Sequence, residues 1–309
     1  MANTQTIAAL HSESKTLASV LPVSVIVPVR NEEENLPRCL AALSCCREVY
    51  VIDSQSTDAT VEIARSFGAK VVQFYYKGGW PKKRQWALDN LPLENPWVLL
   101  LDADEVLTPE LAKEIEAAIK DPDLNGYWVP LRISFLGRAL RHGDTGFRKL
   151  SLFRRGMGRF ECRLQDQDAS MADMEVHEHV IVEGRTGQIR NALLHHNVNS
   201  LSRYIEKHNE YSNWEARVLW RELTEPADCG HSGAEKIAPS FWGTQAQRRR
   251  WLRKNFFHLP GSPILFFFYK YVFRLGFLDG ASGLIYCGFQ AVQFFHIKAK
   301  LYELSSRSG

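Results

Sequence analysis

The sequence predicts an α/β fold built on a mostly parallel sheet, and three observations predict it. Short apolar runs alternate with helical patterns through the first hundred residues, and such alternation implies right-handed crossovers between parallel strands. The fourth run, Trp97-Val98-Leu99-Leu100-Leu101, is apolar without a break, the pattern of a strand covered on both faces. Polar groups gather where the runs end: Pro28, Arg30 and Glu32 after the first, Asp53 after the second, Asp102 and Asp104 after the fourth. Open α/β sheets bind ligands beyond the carboxyl ends of their strands.

Taken in order, Val23–Val27 reads as the first strand and Asn31–Leu43 as a helix, with Leu36, Leu40 and Leu43 at helical spacing. Val49–Ile52 is the second strand. Thr57-Asp58 is expected to cap a helix in which Val61, Ile63, Ala64 and Phe67 recur and which Gly68 closes. Ala69–Phe74, helix Lys82–Leu91, strand Trp97–Leu101 and a helix over 109–120 follow. Beyond them Gly126–Phe135, Lys149–Phe153, Val176–Val182 and Gln188–His195 read as strands, and Ser200–Arg221 as a charged helix. The implied divisions are a loose arm over 1–21, an α/β domain over 22–221, a linker over 222–240 and an apolar helical region over 241–309.

With 309 residues, 45% hydrophobic and 24% charged, the composition is that of an ordinary globular protein. A net charge of +3 is too small to suggest nucleic acid, and no nucleic-acid motif is present. The six cysteines include no C-x-x-C pair, so neither a zinc ribbon nor a disulfide framework is indicated and a reducing compartment fits. The first residues lack a basic stretch leading into a long apolar core, so no secretory signal is expected.

The last seventy residues open with Arg248-Arg249-Arg250, Trp251, Arg253 and Lys254, then turn strongly apolar from Ile264. A helical hairpin packed on the domain accounts for this, as do interfacial helices on a membrane. Aromatics beside Lys and Arg suit the headgroup zone. Glycines 276, 280, 283 and 288, with Gln290, Gln293 and His296, argue against a simple spanning helix.

The acidic pair carries the chemistry. In extended backbone, residues i and i+2 point the same way, so Asp102 and Asp104 are expected to face one crevice and share a divalent cation. Mg2+ and Mn2+ prefer oxygen ligands of this kind. An acidic surface turn ahead of a helix, capped by Asp104 or Thr108, accounts for the same residues. The histidines 177, 179, 195 and 196 make zinc conceivable, but no Cys partner or His-x-x-x-His spacing supports it.

The segments Val23-Ser24-Val25-Ile26-Val27-Pro28-Val29-Arg30-Asn31-Glu32-Glu33, Val51-Ile52-Asp53-Ser54 and Asp102-Ala103-Asp104 resemble those of the family 2 glycosyltransferases, inverting enzymes of the GT-A fold. Val176-His177-Glu178, Leu194-His195-His196, Tyr204-x-x-Lys207-x-x-x-Tyr211 and Gly276-Phe277-Leu278-Asp279-Gly280 are similar to the branch that includes lipopolysaccharide-core β-1,4-glucosyltransferases. The resemblance implies a nucleotide-sugar donor, a UDP-sugar in the expected form, with Pro28, Arg30, Glu32, Asp53, Arg84 and Asp102 around it. It implies Mg2+ or Mn2+ held by Asp104, with His195 near the metal or diphosphate, and Glu178 as general base. Ser54 and Gln85 depart from the family pattern, where a second acid and an Asn are usual. The implied acceptor is lipid-linked or of lipopolysaccharide type. The implied place is the cytoplasmic face of a membrane, held peripherally to an anionic surface through the C-terminal helices. A non-catalytic nucleotide-binding or scaffold protein of the same fold is the alternative. A nucleotidyltransferase needs a Gly-rich loop after the first strand, and Pro28–Glu33 contains no glycine.

Overall fold

The computed structural model describes residues 20–163, 179–196, 200–224, 240–243, 247–248, 250–251, 255, 259 and 261–307. Its first half runs β1 (Leu21–Val29), α1 (Leu36–Ala41), β2 (Cys46–Asp53), α2 (Thr60–Ser66), β3 (Lys70–Gln73), α3 (Lys83–Asn90), β4 (Trp97–Leu100), β5 (Glu105–Val106) and α4 (Pro109–Ala118). Then come β6 (Gly126–Phe135), β7 (Arg138–Ala139), β8 (Phe147–Arg154), β9 (Gly158–Phe160), β10 (Val180–Val182), β11 (Thr186–Gln188), β12 (Leu193–His196) and α5 (Leu201–Thr224). The C-terminal part is α6 (Ser262–Phe268), a π-helical turn (Tyr269–Phe273), a 3-10 turn (Gly276–Asp279) and α7 (Gly280–Arg307).

Strand order in the main sheet is β3-β2-β1-β4-β8-β6-β12-β5, with β7 and β11 also on β6. The first four strands are parallel, β8 is antiparallel to both β4 and β6, and β12 is parallel to β6. The unbroken apolar runs are explained by two cores. Val23, Val25, Val27, Trp97, Leu99 and Leu101 enter one, while Ile26, Val98 and Leu100 enter the other. Successive side chains of a strand alternate between faces, so a strand packed on both sides shows no polar break.

Two expected elements differ. The helix anticipated over Asn31–Leu43 is confined to Leu36–Ala41. Residues 31–33 are instead tied to the turn ahead of α2. Asn31 N–H donates to Ser56 Oγ and Glu32 N–H to Thr60 Oγ1, both at 2.8 Å, and Thr57 N–H donates to Asn31 Oδ1 at 2.8 Å. The left-handed φ of 53° at Asn31 is incompatible with a helix starting there, and those bonds hold the segment in its turn. The single strand anticipated over Gln188–His195 is split into β11 and β12. The N–H groups of Arg190 and Asn191 donate to the Glu114 carboxylate at 2.8 Å each, leaving no ladder there. α5 runs on to Thr224, past the expected linker boundary at 222. Residues 176–178 of the expected strand, most of the arm 1–21 and of the linker 222–240, and Arg249, Arg253 and Lys254 lie outside the described residues.

α7 packs along α5 through Ala216, Leu219, Phe294, Ile297 and Leu301. Among the described residues no helix is long and apolar enough to cross a membrane. The C-terminal part is fastened to the sheet by Asp279. One carboxylate oxygen accepts the N–H groups of Arg141 (3.0 Å) and His142 (2.9 Å), and the other meets His142 Nδ1 at 3.0 Å. Burial disfavours the Asp279 carboxylate, but the bonds from His142 outweigh it and hold the carboxyl below its ordinary range. A lowered native pKa contributes stability above the unfolded pKa, lost as pH falls through the native one. Asp279→Asn is therefore expected to cost about 2 kcal/mol at neutral pH. Chemical denaturation should show that cost constant from about pH 5 upward and shrinking below about pH 4.

Candidate active site

The chain leaves β4 and reverses at once. Asp102 N–H donates to Glu105 Oε2 at 3.0 Å, and Glu105 N–H donates to the Asp102 carbonyl at 2.9 Å. Residues 102–104 thus form a turn into β5, where the sequence pattern predicts extended backbone. Thr108, and not Asp104, caps the following helix: its side chain accepts from Leu111 N–H. The turn gives the two carboxylates different neighbours.

Asp102 meets two cations. Trp97, Val98 and Leu99 pair with Arg154, Phe153 and Leu152, so continuing that antiparallel register puts Asp102 across from Lys149. Lys149 Nζ lies 2.6 Å from Asp102 Oδ2 and 2.7 Å from Glu105 Oε1. The other Asp102 oxygen is bonded by the Arg84 guanidinium. Burial opposes ionisation of Asp102, but Arg84 and Lys149 outweigh it and hold the carboxyl far below the usual carboxylate range. Burial pushes Glu105 upward. The run Lys82-Lys83-Arg84 is no solvated face. Lys82 is fully buried with its ammonium 5.1 Å from the Trp214 ring centre, and Lys83 Nζ donates to the Val29 carbonyl at 2.9 Å.

Asp104 meets His195. β12 pairs antiparallel with β5, His195 opposite Glu105, and His196 N–H donates to the Asp104 carbonyl at 2.8 Å. His195 Nδ1 thereby stands 3.3 Å from Asp104 Oδ1. Burial disfavours the imidazolium, yet Asp104 outweighs it and raises His195 to about 9. Nδ1 makes no hydrogen bond, and its partner is the Asp104 charge, an ion pair at 3.3 Å. An oxygen and an imidazole nitrogen converging in this way fit one corner of a Mg2+ or Mn2+ site. Among the described residues no third His, Cys, Asp or Glu joins them, so the remaining ligands would come from water or a bound phosphate.

Glu32 and α5 close the other side. Lys207 Nζ lies 3.2 Å from Glu32 Oε1. Lys207 and Tyr211 occupy one face of the helix, four residues apart. Burial pushes the Tyr211 hydroxyl up to about 12, and its field includes Lys207, Asp104 and Asp102. Asp53 ends β2 beside Val29, on the strand neighbouring β1 as β4 does on the other side. It is fully buried, and its carboxylate accepts from Ser56 N–H, Ser56 Oγ–H and Gln73 Nε2–H. Pro28 is half-buried within β1 and Arg30 is exposed just beyond it. A 290 Å³ cleft on the outer side of Glu32 is lined by Glu33, Glu34, Asp58 and Arg203 among others. Its acidity is wrong for a diphosphate, whereas around Asp102 the cations Arg84 and Lys149 balance the carboxylates of Asp102 and Glu105. Glu178 lies outside the described residues.

Sequence reasoning missed Lys149 and Glu105. Lys149 carries no local signal, because the antiparallel pairing of β8 alone brings it to Asp102. Lys207 and Tyr211 have a signal in their four-residue spacing, unused as a site feature. Gln85 has a structural use: its Oε1 accepts from Phe160 N–H at 2.7 Å and its Nε2 donates to Asp89 at 2.8 Å.

The chain is 29% identical over 293 residues to the lipopolysaccharide core biosynthesis glycosyltransferase LpsC of Rhizobium meliloti, covering 92% of this chain and 93% of that protein. It is 26% identical over 213 residues to an uncharacterized glycosyltransferase of Rickettsia bellii, covering 67% and 70%. Among solved structures, the mannosyltransferase PcManGT of Pyrobaculum calidifontis, in complex with GDP-Man and Mn2+, matches with a TM-score of 0.47 at 14% identity, covering 91% of this chain and 87% of that one. Residues 24–180, half of the chain, match the model of glycosyl transferase family 2, which holds every strand that ends at this site except β12, and the chain belongs to that family.

Proposed function

We propose that the protein transfers a hexose with inversion from a nucleotide-sugar, a UDP-sugar in the first instance, to a lipid-linked or lipopolysaccharide-type acceptor. The observation that carries it is the split of the acidic turn: Asp102 organises two cations while Asp104 is paired with the imidazole of His195. A leaving nucleoside diphosphate gains negative charge in the transition state, and fixed positive groups stabilise charge where it develops. Arg84 and Lys149 supply such groups, held in place by Asp102 and Glu105. Pro28, Arg30 and Glu32 border the donor's nucleoside, and Asp53 acts on it by fixing the Ser54–Thr57 turn. Asp104 and His195 would hold Mg2+ or Mn2+, which supplies Lewis-acid neutralisation of the diphosphate when bound. His195 must shed its proton to ligate. Glu178 is assigned as general base for the acceptor hydroxyl on the family resemblance. One carboxylate suffices for a single displacement.

The acceptor class is supported by the likeness to LpsC over 92% of the chain and by the C-terminal surface. Ile264, Leu265, Phe268 and Phe273 are all exposed, beyond what scattered surface apolar residues require. Residues 241–309 are read as lying on an anionic membrane at its cytoplasmic face.

A thermal-shift screen of sugar nucleotides tests the donor, because a ligand bound to the native state raises Tm by mass action. A UDP-sugar is expected to raise Tm, more so with Mn2+ present, and to be hydrolysed or transferred in a reaction that EDTA stops. Binding of a nucleoside diphosphate without turnover on any lipid-linked acceptor would favour the scaffold alternative. No shift with any sugar nucleotide would remove the enzymatic reading.

A further inference from the structure

The turn between β6 and β7 consists of Leu136 and Gly137. Both have left-handed backbone, φ 50° and 72°, between the paired residues Phe135 and Arg138. That conformation suits glycine, whereas a leucine there sets its Cβ against a carbonyl oxygen. Leu136 is also 48% exposed. Strained backbone that presents an apolar side chain to water gains nothing from packing, and strain of this kind gathers at functional surfaces. A second exposed leucine, Leu275, has the same conformation (φ 60°) at the start of the 3-10 turn, where Phe277 and Leu278 are exposed as well.

These two places are fastened together. Asp279 accepts the N–H groups of Arg141 and His142, and Gly143 N–H donates to the Arg274 carbonyl at 2.8 Å. The Arg138 guanidinium lies against Gly280, where a Cβ would come within 3.0 Å of it. The Phe135 ring packs edge-on against Tyr286 and Phe289. The exposed charge is mostly basic. Residues 126–143 contain Arg132, Arg138 and Arg141 and no acid, while Arg274 pairs with Asp144 at 3.4 Å and Asp279 is buried. Arg132, Arg138 and Arg141 are exposed.

We propose that the β6–β7 tip, Leu136 with Arg138 and Arg141, joins the Leu275–Leu278 turn to form a docking surface for an anionic phospholipid bilayer. Leucine and phenylalanine side chains enter the boundary of the acyl region, and the arginines meet lipid phosphates. β12 lies beside β6 with His195 level with Ile133. Leu136 is three residues farther on, about 10 Å along the strand. Docking there brings the bilayer to the end of the sheet that carries Asp104 and His195, where a lipid-anchored acceptor has to arrive. The inference deepens the membrane reading above and rests on it: the sheet domain itself, and not the C-terminal helices alone, touches lipid.

Co-sedimentation of the full chain with vesicles tests it. The wild-type chain is expected to pellet with phosphatidylglycerol-rich vesicles and to stay in solution with phosphatidylcholine alone. R138S/R141S should lower the partition coefficient about 30-fold and L136S about tenfold, with a thermal melt showing that both variants stay folded. Hairpin variants that pellet like the wild type overturn this inference and leave the membrane reading standing. A wild-type chain that ignores anionic vesicles overturns both. Loss of a dimer in L136S, with vesicle binding intact, makes the surface a contact between copies and also overturns the inference.

Discussion

Asp104→Ala is expected to lower kcat/KM for sugar transfer about 10³-fold while the protein stays folded. The Asp104 carboxylate stands against His195, and its backbone carbonyl, which the substitution keeps, accepts the His196 N–H that joins β5 to β12. Losing the carboxylate removes the oxygen half of the Asp104–His195 corner and leaves the ladder intact. His195 then loses the charge that raises it to about 9, and its titration should fall toward or below the ordinary range near 6.5. Steady-state kinetics with Mn2+ present, a thermal melt and a histidine proton NMR titration check the three statements. Activity near that of the wild type in a folded Asp104→Ala protein would exclude the metal-corner role.

Lys149→Met is expected to have the largest effect on stability. Glu105 is fully buried, and Lys149 is its ion-pair partner as well as one of two for Asp102. Removing one member of a buried pair strands the other, at a cost of about 3–5 kcal/mol when fully buried. The Lys149 side chain is 34% exposed, so solvent screening favours the lower end, about 3 kcal/mol. Glu105→Gln removes the stranded charge, so the double variant Glu105→Gln/Lys149→Met should recover most of that loss, a non-additive result. Activity should not recover with it, because the cation beside Asp102 is still missing. Denaturation curves and kcat/KM on the same three variants separate the two roles. Recovery of both together would make Lys149 purely structural.

Much of the fold was legible because its signals are local. Four apolar runs separated by helical patterns are enough for a parallel αβ sheet, and the structure has β1, β2, β3 and β4 in the order that such crossovers give. Asp102 and Asp104 were legible for the same reason, as charges at the end of a run that is otherwise apolar. The extent of the first helix was not legible, because the left-handed backbone at Asn31 and its bonds to residues 56–60 are set by contacts across the fold. Nor was the division of labour between the two acids. A two-residue spacing predicts a shared direction only while the backbone stays extended, and here Glu105 folds it into a turn.

The sequence by itself determined an α/β fold with two acids at a strand end and carried short motifs resembling glycosyltransferase family 2, since periodicity and motifs are written in neighbouring residues. Only the tertiary structure decided that Lys149 faces Asp102, that His195 faces Asp104 and that the Leu136 tip is fastened to the C-terminal turn. Those contacts join residues far apart in the chain. They depend on which strand lies beside which and in what register, a choice made by the packing of the whole sheet and not by any one segment.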